Sequence, residues 1–205
     1  MPSLVDQFGP YAHDAPITAA AADLESGKVL TADATGHVTL RRGSEGRPLV
    51  QVKLGPARVG AVGLIRGGAM FAAGDDDGTV AVFDGETGEE IFRDAREGAR
   101  GRVRAMRGLA ISPEGARLAA IGADGLVRIW DVERGEREVA WQGFGGLTVE
   151  FDPRGARLLG VDAEGQPRLD QVWGQWQRKR TELLKRGPGK PTRVTSLPVS
   201  LELSL

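Results

Sequence analysis

Cysteine is absent from the 205 residues, histidine occurs twice, tyrosine once, and aromatic residues make up only 5% of the chain. Without cysteine there is no disulfide scaffold, thiol nucleophile, cysteine-ligated iron–sulfur cluster or cysteine-containing zinc site. This composition is compatible with the cytoplasm, which is the expected location. With only His13 and His37 available as imidazole bases and no GxSxG elbow, a Ser-His-Asp constellation has little to work with. A non-enzymatic protein is expected. No window approaches 18 consecutive apolar residues, and residues 1–11 contain Asp6, no basic residue and no apolar core. Neither a membrane span nor a signal peptide is expected. Nor is there a dominant charge: 27 Lys+Arg face 28 Asp+Glu, giving a net charge of −1. Such a chain has no global field to attract a polyanion, so neither nucleic acid nor a membrane surface is an expected partner.

Glycine is abundant, 30 residues of 205, about twice its usual share of roughly 7%. Glycine-rich turns between short aliphatic runs predict an all-β fold. A search for self-similarity finds four copies of one unit. Its clearest version, residues 109–136, has an apolar run, a Pro-Glu-Gly turn, a second apolar run and an Asp-Gly turn, then Val127 and Ile129 leading into Trp130-Asp131. The first-turn glycines are Gly27, Gly68, Gly115 and Gly155, and the second-turn glycines are Gly36, Gly78, Gly125 and Gly165. Two independent markers thus share one period. In the first three copies a short fourth strand follows, over residues 49–54, 89–93 and 137–141. A four-stranded unit recurring every ~40–45 residues has the spacing of a propeller blade.

The copies resemble WD40 repeats, a β-propeller family. Trp130-Asp131 matches the dipeptide that names it, and Phe83-Asp84 is an aromatic variant. Asp77 and Asp124 match the acid just before the turn glycine, with Glu164 a near match and Thr35 a departure. His13 resembles the histidine that precedes a blade. The resemblance covers about residues 13–170 and implies structural roles for His13, Asp77, Phe83, Asp84, Asp124, Trp130 and Asp131. Arg41 and Asp170 replace the aromatic in the first and fourth copies. The family's Asp, His, Ser/Thr and Trp network is therefore expected to be complete in no copy, leaving cohesion to aliphatic packing between sheets.

Seven blades would need roughly 280 residues at this period. Four fit here, as a small closed ring, a half-propeller that joins another chain, or a piece of a longer array. An open end exposes a sheet face and invites association, including a homodimer. Closure within one chain would instead draw on residues 4–8 and 199–205. Residues 171–205 form a separate tail without alanine, with seven basic and two acidic residues. Within it, residues 174–186 read as a short basic helix ended by Gly187-Pro188-Gly189.

No cofactor is expected. Asp75-Asp76-Asp77-Gly78 offers carboxylates but lacks EF-hand spacing, and Asp-Gly in a hairpin needs no metal. Gly187 to Thr192 fails the phosphate-loop pattern, since Leu184 stands where its first glycine belongs. The loop between copies two and three holds Arg96, Arg100, Arg102 and Arg104. Loops on rigid scaffolds concentrate binding residues, and guanidinium forks suit carboxylate or phosphate. These four arginines, joined by Asp75 and Asp76 of the neighbouring acidic turn, are the candidate contacts for a protein partner. The resemblance implies an interaction scaffold, and the alternative is a structural half-propeller or fragment that completes a larger ring. An excess of 22 Arg over 5 Lys beside abundant Ala and Gly fits a bacterial source.

Overall fold

The computed structural model describes residues 13–43, 47–95, 105–142, 148–161 and 166–171. The basic tail and the four loop arginines lie outside them. Among the described residues all regular elements are strands, in four antiparallel sheets that follow chain order. Blade 1 is β1 (Ile17–Asp23), β2 (Lys28–Asp33), β3 (His37–Arg42) and β4 (Pro48–Lys53). Blade 2 is β5 (Val59–Ile65), β6 (Met70–Asp75), β7 (Val80–Asp84) and β8 (Glu90–Asp94). Blade 3 is β9 (Met106–Ile111), β10 (Arg117–Gly122), β11 (Leu126–Asp131) and β12 (Glu136–Gln142). Blade 4 has three described strands, β13 (Thr148–Phe151), β14 (Arg157–Val161) and β15 (Pro167–Gln171). The fourth strands expected in the first three copies are present, within two residues of their expected limits.

The hairpins arise from the turn chemistry. At Gly115, φ is +71° and the Gly115 amide donates to the Ser112 carbonyl at 2.7 Å. An L side chain rarely adopts that conformation, so glycine closes the turn without strain. Register is set by apolar alternation, because a slip of one residue would turn every strand inside out. In β2, Leu30 and Ala32 are buried toward blade 2, while Val29 and Thr31 point the other way and are half-buried.

Three cores lie between consecutive sheets. Leu30, Leu40, Val50, Phe71 and Phe83 fill the first; Ile65, Val82, Leu118 and Trp130 the second; Ile121, Ile129, Val149 and Leu158 the third. Phe71 and Phe83 stack with ring centroids 5.4 Å apart. Phe83 and Trp130 therefore pack between blades, as the resemblance implies. The innermost strands β1, β5, β9 and β13 touch in that order, and among the described residues no comparable contact joins β13 back to β1.

Close packing needs two glycines on the blade 2 side of β9. A Cβ at Gly60 would collide with the Met106 carbonyl, and one at Gly74 would lie 2.8 Å from the Met106 Cβ. Gly60→Ala should destabilise the protein by about 1–3 kcal/mol through overpacking against backbone. Urea denaturation would show this as a lower midpoint, with Gly63→Ala as a milder control because only the Ile111 side chain faces its Cβ position.

Candidate functional site

One rim of the array gathers the second-turn hairpins and the segments that enter each blade. Every described turn on it is tied to the entry segment of its own blade by an equivalent backbone bond. Ala34 N donates to Pro16 O, Asp76 N to Arg58 O and Ala123 N to Ala105 O, at 2.8–3.1 Å. These bonds superpose the blades residue by residue: Asp33, Asp75 and Gly122 are equivalent, as are Thr31, Ala73 and Ala120, and Arg41, Phe83 and Trp130. By the same register His13, Gly55 and Arg102 share one sequence position.

Blade 1 carries a buried polar network on this rim. The His13 imidazole contacts Asp33 Oδ2 through Nδ1 and Thr31 Oγ1 through Nε2, both at 2.8 Å, and Arg41 donates to Thr31 Oγ1 at 2.9 Å. Asp33 Oδ1 accepts from the backbone of Thr35 and His37 and from the Thr35 hydroxyl. Burial opposes ionisation of Asp33, but the bonds from His13, Thr35 and His37 outweigh it and hold its carboxyl well below the usual range. Sequence reasoning assigned no role to Asp33 and expected no complete network. Here the acid, imidazole and hydroxyl are all present, with a guanidinium where the family places an aromatic ring.

Blade 2 keeps the acid and lacks the imidazole. Asp75 is 2% exposed, and its Oδ1 accepts from the backbone of Asp77 and Thr79 at 3.0 and 2.8 Å. Burial pushes its carboxyl up, against the bonds from Thr79 and Asp77. This corrects the expectation of a partner-facing Asp75: its side chain is interior and holds a turn. It also corrects the role given to Asp77, which is exposed and contributes its amide, because the capping acid stands three residues before the glycine. Asp76 is partly exposed and lies 3.4 Å from the Arg58 guanidinium.

Blade 3 reaches the same turn differently. Asp124 caps it by accepting from Leu126 N at 3.0 Å and pairs with the buried Arg128 at 2.7 Å. Its place is vacated by Gly122, where a Cβ would lie 2.5 Å from Asp124 Oδ1. Asp124 thus has the turn role that the resemblance implies. On the opposite rim Asp84 and Asp131 cap the outer hairpins, accepting from Glu86 and Thr87, and from Glu133 and Arg134. Asp23 and Asp152 likewise cap first-turn hairpins, accepting from Glu25 and Ser26, and from Ala156 and Arg157.

Arg96, Arg100, Arg102 and Arg104 lie outside the described residues, but both feet of their segment are fixed. At one foot Asp94 accepts from Trp130 Nε1 at 2.9 Å and lies 3.5 Å from Arg137. At the other, Met106 is buried against Gly60 and Gly74. Asp94 and Ala105, which flank the segment, therefore share one rim with the acidic turns.

The two equivalent acids should behave oppositely. Asp33, with its folded pKa lowered, contributes stability that is present above its unfolded pKa of about 3.9 and is lost as pH falls toward the folded value. Asp75, with its pKa raised, costs stability once pH passes its folded value, and the cost vanishes in acid. Asp33→Asn should therefore destabilise by about 1–3 kcal/mol at pH 7, whereas Asp75→Asn should be neutral or stabilising there. Thermal unfolding at pH 7 and at about pH 2.5, below the unfolded carboxylate value, checks both signs. Gly55→His should supply the missing imidazole, since a Cβ at Gly55 would meet only Asp75 Oδ2, at 3.6 Å. A gain of about 1 kcal/mol beyond Gly55→Ala is expected, the alanine control removing the backbone-entropy part.

A family model described as "WD domain, G-beta repeat" matches residues 97–131, spanning the arginine segment and three strands of blade 3. No curated protein matches the chain. Among solved structures, the computationally designed Ika4 protein is similar with a TM-score of 0.65 and 22% identity, over 79% of this chain and 94% of Ika4. The computationally designed Ika8 protein is similar with a TM-score of 0.66 and 22% identity, over 79% of this chain and 48% of Ika8. The chain thus spans about half the length of Ika8. At this identity the likeness concerns the fold. Four consecutive blades, a WD repeat in the third and a turn-capping acid in each of the first three make this chain a WD40-like β-propeller array.

Proposed function

We propose that the protein is a non-enzymatic, cytoplasmic interaction scaffold that holds a protein partner on the rim bearing residues 95–105. The observation that carries this reading is the anchoring of that segment: Asp94 is tied to Trp130, and Met106 is buried in blade 2. The residues flanking the segment are held on rigid sheets, and loops on rigid scaffolds concentrate binding residues. Arg96, Arg100, Arg102 and Arg104 would supply guanidinium forks for an acidic surface. Asp76 lies on the same rim and gives the site a carboxylate of its own. Asp75, being interior, has no part in the contact.

Replacing Arg100, Arg102 and Arg104 together with Ser should abolish recovery of the partner from lysate while leaving the thermal transition nearly unmoved. The readout is a side-by-side capture with the parent chain, identified by mass spectrometry. Undiminished capture by the triple variant would remove the segment from the interface.

A further inference from the structure

We propose that two copies of this chain close into a single eight-bladed ring, the outer face of blade 4 in each copy packing on the outer face of blade 1 in the other. This stands independently of the arginine-segment reading.

The equivalent positions of the four blades carry the argument. On the face that each blade turns toward its successor, Leu30, Ala72 and Ala119 are each fully buried, whereas the equivalent Leu159 of blade 4 is 45% exposed. On the face turned toward the predecessor, Phe71, Leu118 and Leu158 are fully buried, whereas the equivalent Val29 of blade 1 is only half-buried. Ala20 and Ala22 of β1 are exposed on that same face. Each terminal blade thus repeats half of an interface that the chain builds three times internally. A large apolar side chain left open at one end and a small-residue strand left open at the other are the two halves of one contact. Side chains of opposite charge stand there too, Glu150 on the blade 4 face and the half-buried Arg41 on the blade 1 face. Polar side chains on the blade 1 face are no obstacle, since Trp130 already reaches across a blade boundary to Asp94.

The repetition of one interface at both ends selects a second copy as occupant. Over 79% of this chain in each comparison, the match takes in nearly all of Ika4 and about half of Ika8, with TM-scores of 0.65 and 0.66. The part of Ika8 beyond the match is long enough for a second array of the same size. A head-to-tail contact normally extends into a filament, but it closes with two copies when each spans half a turn. In that case both interfaces of the dimer are identical.

The test is the solution mass of the full chain by size-exclusion chromatography with light scattering. A species of twice 21.8 kDa is expected. Leu159→Glu, at a position already open to solvent, should halve that mass while leaving the far-ultraviolet circular dichroism unchanged, and Ala20→Glu should do the same from the other face. An equimolar mixture of the two variants should recover dimer, because one of the two interfaces in the mixed ring carries neither substitution. A parent mass of 21.8 kDa at every loading concentration would overturn the proposal, assigning the two faces to the chain's own terminal segments. So would a dimer that survives both substitutions, or a mixture that stays monomeric.

Discussion

The two inner sheets, blades 2 and 3, are apolar on both faces and must be covered on both. Most of the architecture depends on that constraint. Blade 2 satisfies it completely: Phe71, Ala73 and Phe83 pack toward blade 1, and Ala72, Val80 and Val82 toward blade 3. The strands consequently read as continuous apolar runs rather than as half-polar alternations. The scarcity of aromatic residues follows as well, since alanine and valine allow sheets to approach closely and glycines at 60 and 74 admit β9. The terminal blades each have a neighbour on one side only among the described residues, and there the same register positions become exposed or polar.

Within that framework the turn carboxylate shows three chemistries for one geometry. Blade 1 uses Asp33 supported by His13, blade 2 uses Asp75 with backbone and Thr79 donors, and blade 3 moves the acid to Asp124 and pairs it with Arg128. A buried carboxylate needs donors to offset its lost hydration, and the balance of burial, donors and neighbouring charge sets the direction in which its pKa moves. The three blades therefore share a backbone while differing in what their polar groups contribute at neutral pH.

Much of the array was legible in the amino-acid order. Paired glycine markers at a common period located all four blades, and the position of the fourth strand in the first three was found within two residues. The capping acid was misplaced by two residues in blade 2, because Asp77 stands beside Gly78 while the carboxylate that accepts the turn amides belongs to Asp75. A signal was available: Asp33 precedes Gly36 by the interval that separates Asp75 from Gly78, and His13 precedes Asp33 by the interval that separates Gly55 from Asp75. Arg41 was read as a departure from the family pattern, yet its guanidinium reaches the Thr31 hydroxyl and extends the network.

Sequence alone determined the number of blades, their strands and their turns, since these follow from local hydrogen bonding and from apolar periodicity over a few residues. Tertiary structure alone decided which aspartates are interior, which turn borrows an arginine, and that blade 4 does not pack back on blade 1 among the described residues. The pairing of Asp124 with Arg128 spans only four residues, but the interior place of Asp33 depends on His13, 20 positions away, and the packing of blades on contacts as distant as Arg66 with Glu114. They rest on the angle at which one sheet stacks on the next, a property that no single repeat contains.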